Sequence, residues 1–236
     1  IHRITPSATL AMTSKAAELR NKGVDVFNMS VGEPDFNTPS HIIRAAVKAM
    51  EDGQTRYTPG SGTIQLKEAI QKKLIRDNNI EYNTNEIIVS SGGKHSLYNA
   101  CQVLFQHGDE VIIFSPYWVS FPDFVSVTGA KPIFVETNSE NQYEPMFNDL
   151  LAKITPRTKG IIINSPSNPT GGVWSDDAIR KTVDIAKSHS LWIFSDECYE
   201  QLTYDVPFKS LASFDLNNKK IITFQSCSKT YSMTGW

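Results

Sequence analysis

A lysine set among small hydroxyl residues is the group in this sequence with the clearest potential for chemistry. Lys229 stands in the stretch Ser-Cys-Ser-Lys-Thr at 226–230, just after an apolar run at 220–224 that is typical of a buried strand. Because α/β sheets bind ligands at the carboxyl ends of their strands, we expect Lys229 at such an edge. Partial removal from water favours the neutral amine, which is a nucleophile toward carbonyls. A single lysine is more often solvated, so this interpretation depends on the rest of the chain.

Four more predicted strands end in groups that could bind a ligand. They are Gly-Gly-Lys at 92–94, Tyr-Trp at 117–118, Asn168, and Asp196 with Tyr199. Because parallel strands of one sheet present their carboxyl ends at one edge, these loops and the loop of Lys229 could converge on one crevice. Each group also has an ordinary alternative. The glycines and Asn168 could form turns, and Asp196 could cap a helix. The rings of Trp118 and Tyr199 could pack in the core.

The possible chemistry of each group follows from its residue type. Gly93 and Lys94 open a helix whose backbone N–H groups could face a phosphate, although the pattern is not a Walker loop and no G-x-G-x-x-G motif follows the strands. Trp118 could stack on a flat ring. Asp196 would be a buried carboxylate in need of a cationic or donor partner, with Glu197 the lesser candidate. The doubled X-Pro of 165–169 predicts a sharp loop, in which the bond before Pro169 could be cis.

The elements that would position these groups alternate between helices and strands. Helices are predicted at 7–22, 39–50, 64–75, from 93 to 105, from 116 onward, at 145–154 and at 176–188, and strands at 24–29, 86–89, 110–114, 131–135, 160–163, 191–194 and 221–224. Short, continuously apolar strands between helices indicate an α/β fold. Its sheet is expected to be mostly parallel, with helices on both faces.

Composition excludes several classes of function and indicates a compartment. The 236 residues carry a formal charge of −2, which gives no electrostatic basis for binding nucleic acid or an anionic membrane. No apolar run approaches the ~18 residues that a membrane span needs. Three widely spaced cysteines are typical of reduced thiols, so we expect a cytoplasmic protein. The sequence has neither an initiator Met nor a signal-like start, and we expect it to be a fragment lacking both termini.

Taken together, the strand-end groups fit one ligand. It has a phosphate, a flat ring, a basic ring nitrogen that needs an acid, a ring oxygen that needs donors, and a carbonyl that needs a lysine. Pyridoxal 5′-phosphate (PLP) has all of these, and a lysine with an aspartate partner for the ring nitrogen is a recurrent arrangement around it. PLP is therefore the predicted cofactor, and no metal is expected.

Seven stretches, in order, carry a resemblance to a known family. They are Val-Gly-Glu-Pro-Asp-Phe (31–36), Arg-Tyr-Thr-Pro-Gly-Ser-Gly (56–62), Gly-Gly-Lys (92–94), Ser-Pro-Tyr-Trp-Val-Ser (115–120), Asn-Ser-Pro-Ser-Asn-Pro-Thr-Gly (164–171), Ser-Asp-Glu-Cys-Tyr (195–199) and Ser-Lys-Thr-Tyr-Ser-Met-Thr-Gly-Trp (228–236). The chain resembles the fold type I, class I/II PLP-dependent aminotransferases, especially the prokaryotic aspartate aminotransferase branch. The resemblance implies the large-domain fold of these transferases.

The resemblance also implies a role for each matching residue. Lys229 matches the lysine that forms a Schiff base with PLP, and Asp196 matches the partner of the ring nitrogen. Tyr199 and Asn168 match the pair that hydrogen-bonds the ring 3-oxygen, and Trp118 the ring-stacking aromatic. Tyr57 matches a tyrosine that reaches the cofactor phosphate of the neighbouring subunit. The remaining matches are the phosphate-binding positions Gly93, Lys94 and Ser226 and the substrate-contacting positions Gly32, Trp118 and Asn168.

The implied activity is amino-group transfer by a ping-pong mechanism. An aspartate-like or aromatic amino acid would give its amino group to a 2-oxo acid such as 2-oxoglutarate, with Lys229 moving the α-proton as general base. The position of Tyr57 implies a homodimer with shared sites. No nucleic-acid or membrane partner is expected.

The resemblance further implies a division of the chain. Residues 1–39 are expected to form an N-terminal arm and the start of a small domain, and 40–236 an incomplete PLP-binding large domain. The C-terminal domain is expected to be absent, together with the arginine that follows Gly-Trp in the family and the arginine that binds the substrate α-carboxylate. We therefore expect this piece alone to transaminate poorly or not at all.

Two other activities are compatible with the same residues. A PLP-dependent C–S or C–C lyase would share the cofactor contacts and differ in substrate contacts. A non-catalytic, aminotransferase-like sensor module would bind ligand without turnover. The match at 115–120 and 228–236 favours transfer over lyase chemistry, and intact Lys229, Asp196 and Tyr199 argue against a non-catalytic module.

Overall fold

A computed structural model of the protein describes residues 8–29, 31–217 and 219–236. The strands are β1 (Glu110–Ser115), β2 (Lys131–Glu136), β3 (Thr158–Asn164), β4 (Trp192–Asp196) and β5 (Ile221–Phe224). The helices are α1 (Ala8–Asn21), α2 (Ser40–Glu51), α3 (Ile64–Lys73), α4 (Gly93–Leu104), α5 (Phe121–Val127), α6 (Phe147–Lys153), α7 (Asp176–Ser188) and α8 (Cys227–Thr230).

The five strands form one sheet in the order β2-β1-β3-β4-β5, and every pair is parallel. The register places Asn164 beside Asp196, and Asp196 beside Phe224. Three neighbouring strands therefore end at the same level. The chain leaves β1 toward β2 on one side and returns to β3 on the other, so a topological switch point lies between β1 and β3. In open α/β sheets this is where the binding crevice forms.

Each face of the sheet is covered by its own apolar cluster, because alternate strand residues point to opposite faces. Ile112, Ile161 and Ile193 pack on one face in a cluster that includes residues of α6 and α7. Val111, Ile162, Phe194 and Phe224 pack on the other in a cluster that includes residues of α4 and α5. The predicted α/β fold, with a parallel sheet covered on both faces, is confirmed.

Three predicted elements differ in the structure. Residues 24–29 form no strand, because in the described part of the chain they pair with no other strand, and Phe27 and Met29 are almost fully exposed. The strand predicted at 86–89 is not observed either. Glu86 ends a short 3₁₀ turn, Thr84–Glu86, and residues 87–89 have no ladder pairing, although the Val89 N–H donates to the Ser61 carbonyl. An extended segment without a partner strand lacks the hydrogen bonds that define a strand.

The helix expected from residue 116 begins only at Phe121. Its second residue is Pro122, and proline is tolerated only in the first turn of a helix. The helix therefore starts just before Pro122, and Trp118 lies in the preceding loop. The helix predicted at 7–22 is observed as α1, while Ser7, its first predicted residue, lies outside the described residues.

Two further observations concern the described residues. None of their helices is both long and apolar enough to cross a bilayer. Within the same ranges, no group of three or more His, Cys, Asp or Glu side chains is placed to hold a metal ion.

Candidate active site

Asp196 is a buried carboxylate at the carboxyl end of β4. Only 6% of the residue is exposed, and burial raises the pKa of its carboxyl to about 6. One carboxylate oxygen accepts a hydrogen bond from the Cys198 backbone N–H at 3.2 Å, and among the described residues no lysine or arginine pairs with it. A buried carboxylate without a cation is poised to accept one from a ligand.

An amide and a phenol meet beside Asp196. The Asn168 side-chain amide donates to the Tyr199 hydroxyl oxygen at 3.2 Å. Asn164, the last residue of β3, fixes this arrangement from below, since its amide oxygen accepts from the Asn168 backbone N–H at 2.8 Å and its amide nitrogen donates to the Asp196 carbonyl at 3.0 Å. Burial raises the pKa of Tyr199 to about 12, so the phenol keeps its proton at neutral pH and can donate it. The peptide bond before Pro169 is cis.

Lys229 follows the end of β5 in the short helix α8. Ser226 caps this helix, accepting from the Ser228 N–H at 3.1 Å. The Lys229 side-chain nitrogen donates to the Gly32 carbonyl at 2.5 Å. Two residues predicted as site residues from opposite ends of the sequence are therefore in contact. The same lysine also lies close enough to the thiol of Cys198 to oppose the rise in pKa that burial and the Asp196 charge cause there.

The amino terminus of α4 approaches the same loop. Gly92 precedes the helix with φ +82°, a conformation that glycine adopts readily. A β-carbon added to Gly93 would lie 3.7 Å from the Ser226 β-carbon, so the two residues are neighbours. The N–H groups of the first turn have no acceptors within a helix. A helix terminus and a serine hydroxyl thus meet at one point, which suits an anion.

Trp118 lies in the loop after β1, on the β1 side of the switch point. Its ring packs edge-on against Phe121 and Phe124, with centroids 5.5 and 5.9 Å apart. The Lys94 ammonium stands 5.2 Å from the Trp118 ring centre, a cation–π contact. The ring is half-buried, so part of it remains available to a ligand. A small cavity at the switch point is lined by residues of both flanking loops, among them Tyr117, Asn164 and Asn168.

Tyr57 is the predicted site residue that the structure does not bring to this cluster. Its side chain is fully exposed. This placement leaves the prediction that Tyr57 reaches a neighbouring subunit as a prediction.

Asn164 has no predicted role, although its position as the last residue of a strand is itself a signal for the carboxyl edge. Glu197, the lesser alternative to Asp196, is hydrogen-bonded to residues outside this cluster. Its carboxylate accepts from the Ser195 and Ser210 hydroxyls, both at 2.8 Å, and burial raises its pKa to about 7.

The donors and acceptors of this edge fit PLP. The buried Asp196 carboxylate lacks a cation and suits the basic ring nitrogen. The Asn168–Tyr199 pair supplies donors for a ring oxygen. The contact between Gly93 and Ser226 places a helix terminus and a hydroxyl together, which suits a phosphate.

The fold and this edge define an α/β protein whose ligand site is built from the carboxyl ends of parallel strands. The family model "Aminotransferase class I and II" matches residues 24–236. The chain belongs to the aminotransferase class I and II family, whose members use PLP.

Individual aminotransferases are also similar to this chain in sequence and in structure. An aspartate aminotransferase of Geobacillus stearothermophilus is 47% identical over 235 residues, covering 99% of this chain and 60% of that protein. A probable aspartate/prephenate aminotransferase of Aquifex aeolicus is 43% identical, covering all of this chain and 60% of that protein. The structure of a Thermus thermophilus aspartate aminotransferase with maleate superposes with a TM-score of 0.96 at 40% identity, over 100% of this chain and 61% of that one. The chain thus spans about 60% of the length of these relatives.

Proposed function

We propose that this chain provides the PLP site of an aminotransferase that moves an amino group from an aspartate-like or aromatic amino acid to a 2-oxo acid such as 2-oxoglutarate. The observation that carries the proposal is the arrangement at three neighbouring strand ends. Buried Asp196 stands beside the Asn168–Tyr199 pair, and Lys229 follows the next strand along. Membership of the family and the names of the relatives agree with it.

Each residue has a binding role that follows from its chemistry. Gly93, Lys94 and Ser226 would hold the phosphate through backbone N–H groups, charge and hydroxyl. The buried Asp196 carboxylate would hold the proton of the ring nitrogen. The Tyr199 hydroxyl, which already accepts from Asn168, would donate its own proton to the ring oxygen. Trp118 would cover one face of the ring.

PLP, when bound, supplies a reactive carbonyl and an electron-accepting ring. Lys229 would hold the cofactor at that carbonyl and would act on the substrate through its side-chain nitrogen. As a free amine that nitrogen would take the substrate α-proton and return it, acting as general base and then general acid. Gly32 and Asn168 would contact the substrate. Amino donor and oxo acid would use the same site in turn, which gives ping-pong kinetics.

We also propose a two-part organisation and a homodimer. Both apolar clusters lie between Ile80 and Phe224, which supports a large domain at 40–236 with residues 1–39 as arm and start of a small domain. The exposed Ile43, Val47 and Met50 of α2 and the exposed Tyr57 support an interface on this side, with Tyr57 serving the neighbouring site. A cytoplasmic location remains a prediction.

Absorbance of the full-length protein tests the proposal. The protein is loaded with PLP and mixed with single amino acids, and 2-oxo acid release is followed together with the spectrum of the cofactor. Conversion to the amine form with release of oxo acid from aspartate supports transfer. Ammonia and pyruvate from a cysteine-type substrate would indicate a lyase, and a spectral change without turnover would indicate a sensor. Failure to bind PLP at all would refute the proposal.

A further inference from the structure

A buried polar network lies behind the site and is not explained by contact with cofactor or substrate. Its centre is Glu200, which is 5% exposed and forms an ion pair with Lys73. Glu200 also accepts from the Asn78 amide at 2.7 Å and from the Gln225 amide at 3.0 Å. The Gln225 amide lies 3.4 Å from the second buried carboxylate, that of Glu197.

Lys73 donates to three acceptors in this network. Besides Glu200, its side-chain nitrogen donates to the Asn78 amide oxygen at 2.8 Å and to the Gln225 amide oxygen at 2.9 Å. The side chain of Lys73 is only 14% exposed. All three protons of the ammonium group therefore have acceptors, which is the condition for burying a charge.

The network joins parts of the chain that carry different groups of the site. Glu197 and Glu200 belong to the turn after β4, which also carries Tyr199 and directly follows Asp196, the last residue of β4. Gln225 is the residue between the end of β5 and Ser226, the cap of the helix that carries Lys229. Contacts through Gln225 therefore fix the loop of the lysine relative to the turn of the acid and the phenol.

Stability alone does not account for such an arrangement. A buried ion pair is often no more stabilising than apolar residues of similar volume, because desolvation offsets the attraction. What it provides is geometric definition, since only one placement satisfies every donor and acceptor. Active sites need that definition, as errors of about 1 Å in a reacting group slow a reaction strongly.

We propose that Gln225, held by the Lys73–Glu200 pair, is a positioning residue that sets Ser226 and Lys229 against Asp196 and Tyr199. The inference rests on the proposed function, because it assigns the network a role in holding PLP. Gln225 touches neither cofactor nor substrate in this role. It acts through the backbone of the loop that it begins.

The test compares two network variants of the full-length protein with a matched control. Gln225→Met removes the link and keeps Lys73 and Glu200 in place, while the Lys73 ammonium loses one of its three acceptors. Lys73→Met combined with Glu200→Gln removes the pair without leaving a buried charge, so one variant remains informative if the other folds poorly. The control, Arg157→Met combined with Glu110→Gln, removes a partly buried ion pair that lies 2.8 Å apart at the opposite end of the sheet.

Three quantities are measured for each protein: the melting temperature without cofactor, the dissociation constant for PLP, and the pH midpoint of the visible absorbance of bound PLP. We expect the network variants to weaken PLP binding about two- to tenfold and to shift the pH midpoint by about 0.5 to 1 unit. Each change corresponds to the free energy of one weakened hydrogen bond. The control is expected to lower the melting temperature and leave the other two unchanged.

Two outcomes distinguish failure of the positioning role from failure of the proposed function. Network variants that melt earlier but keep the wild-type PLP affinity and pH midpoint would overturn the positioning role while leaving the proposed function intact. A wild-type protein that binds no PLP would overturn the proposed function and the positioning role with it.

Discussion

The Lys229 side-chain nitrogen lies 2.5 Å from the Gly32 carbonyl oxygen, although the two residues are 197 positions apart. Two further hydrogen bonds join the same segments. The Thr234 hydroxyl donates to the Glu33 carboxylate at 3.1 Å, and the Trp236 indole N–H donates to the Thr38 hydroxyl at 3.0 Å. The segment that follows α1 therefore lies along the segment that carries the lysine. This places a backbone region expected to meet substrate beside the amine expected to act on it.

Replacement of Lys229 by alanine tests the central assignment. We expect Lys229→Ala in the full-length protein to lower kcat for aspartate by at least about 10²-fold, since a positioned general base contributes roughly 10²–10⁴-fold. The visible band of the lysine-bound cofactor should also disappear. Absorbance spectra and a coupled oxo-acid assay measure both.

Lys219→Ala is the matched control for that variant. Lys219 precedes β5, is 77% exposed and pairs with Glu86 at the surface, so its loss should leave both the band and the rate unchanged. A Lys229→Ala protein that kept the band would show that another residue bonds to the cofactor.

Asp196 should make the cofactor-free protein less stable at neutral than at acid pH. Burial raises its pKa from an ordinary 3.8 to about 6, so the folded state holds the proton more tightly than the unfolded state between these values. The contribution of this group to the free energy of unfolding therefore falls as pH rises through this window, by about 3 kcal/mol in all. Asp196→Asn removes that dependence.

Urea unfolding of cofactor-free wild type and Asp196→Asn at about pH 4 and about pH 7.5 measures the difference. We expect the variant to gain stability relative to wild type only at the higher pH, and to bind PLP more weakly there. Burial also raises the pKa of Glu197, to about 7. Glu197 therefore adds a similar pH dependence to the unfolding free energy of both proteins, and this part cancels in the comparison. Equal differences at the two pH values would show that Asp196 is not a buried acid of this kind.

Much of the fold could be predicted from the sequence because the apolar runs are short and continuous. The helix expected at 176–188 is observed at Asp176–Ser188, where the Ser175 side chain caps it and apolar residues recur on one face. The five strands that pair were all predicted, and their parallel order brings Asn168, Asp196 and Lys229 to one edge, as the alternation of helices and strands implied. Local signals were sufficient where a residue's neighbours in sequence determine its environment.

The remainder depends on contacts that no local pattern encodes. Residues 86–89 have the composition of a strand but pair with no strand in the described part of the chain. Lys73 and Glu200 form a pair although they are 127 positions apart. From the sequence alone, each is typical of an exposed charged residue. The contact of Gly32 with Lys229 is of the same kind, since only the resemblance to a family connected the two residues beforehand.

Loss of the Tyr199 hydroxyl should change how the bound cofactor titrates. If Tyr199 donates to the ring oxygen, Tyr199→Phe removes a hydrogen bond that favours the deprotonated form. The pH midpoint of the absorbance change should then rise by about 1 unit. Asn168→Ala should move it in the same direction, because the Asn168 amide donates to the Tyr199 hydroxyl and so orients the phenol.

Absorbance titration of the loaded proteins measures this midpoint. Tyr204→Phe supplies the comparison, because Tyr204 is 88% exposed in a surface loop and its hydroxyl should not matter. An unchanged midpoint in Tyr199→Phe would remove Tyr199 from the cofactor site.

Hybrid dimers test whether Tyr57 serves the neighbouring subunit. Lys229→Ala alone should be inactive, and Tyr57→Ala alone should bind PLP about two- to tenfold more weakly through loss of one phosphate contact. If Tyr57 acts across the interface, a dimer of one Lys229→Ala and one Tyr57→Ala subunit contains one site with both lesions and one intact site. Mixed, differently tagged subunits isolated as hybrids should then bind half an equivalent of PLP with wild-type affinity. If Tyr57 instead acts within its own subunit, no site in the hybrid is intact, and the tight-binding fraction would be missing.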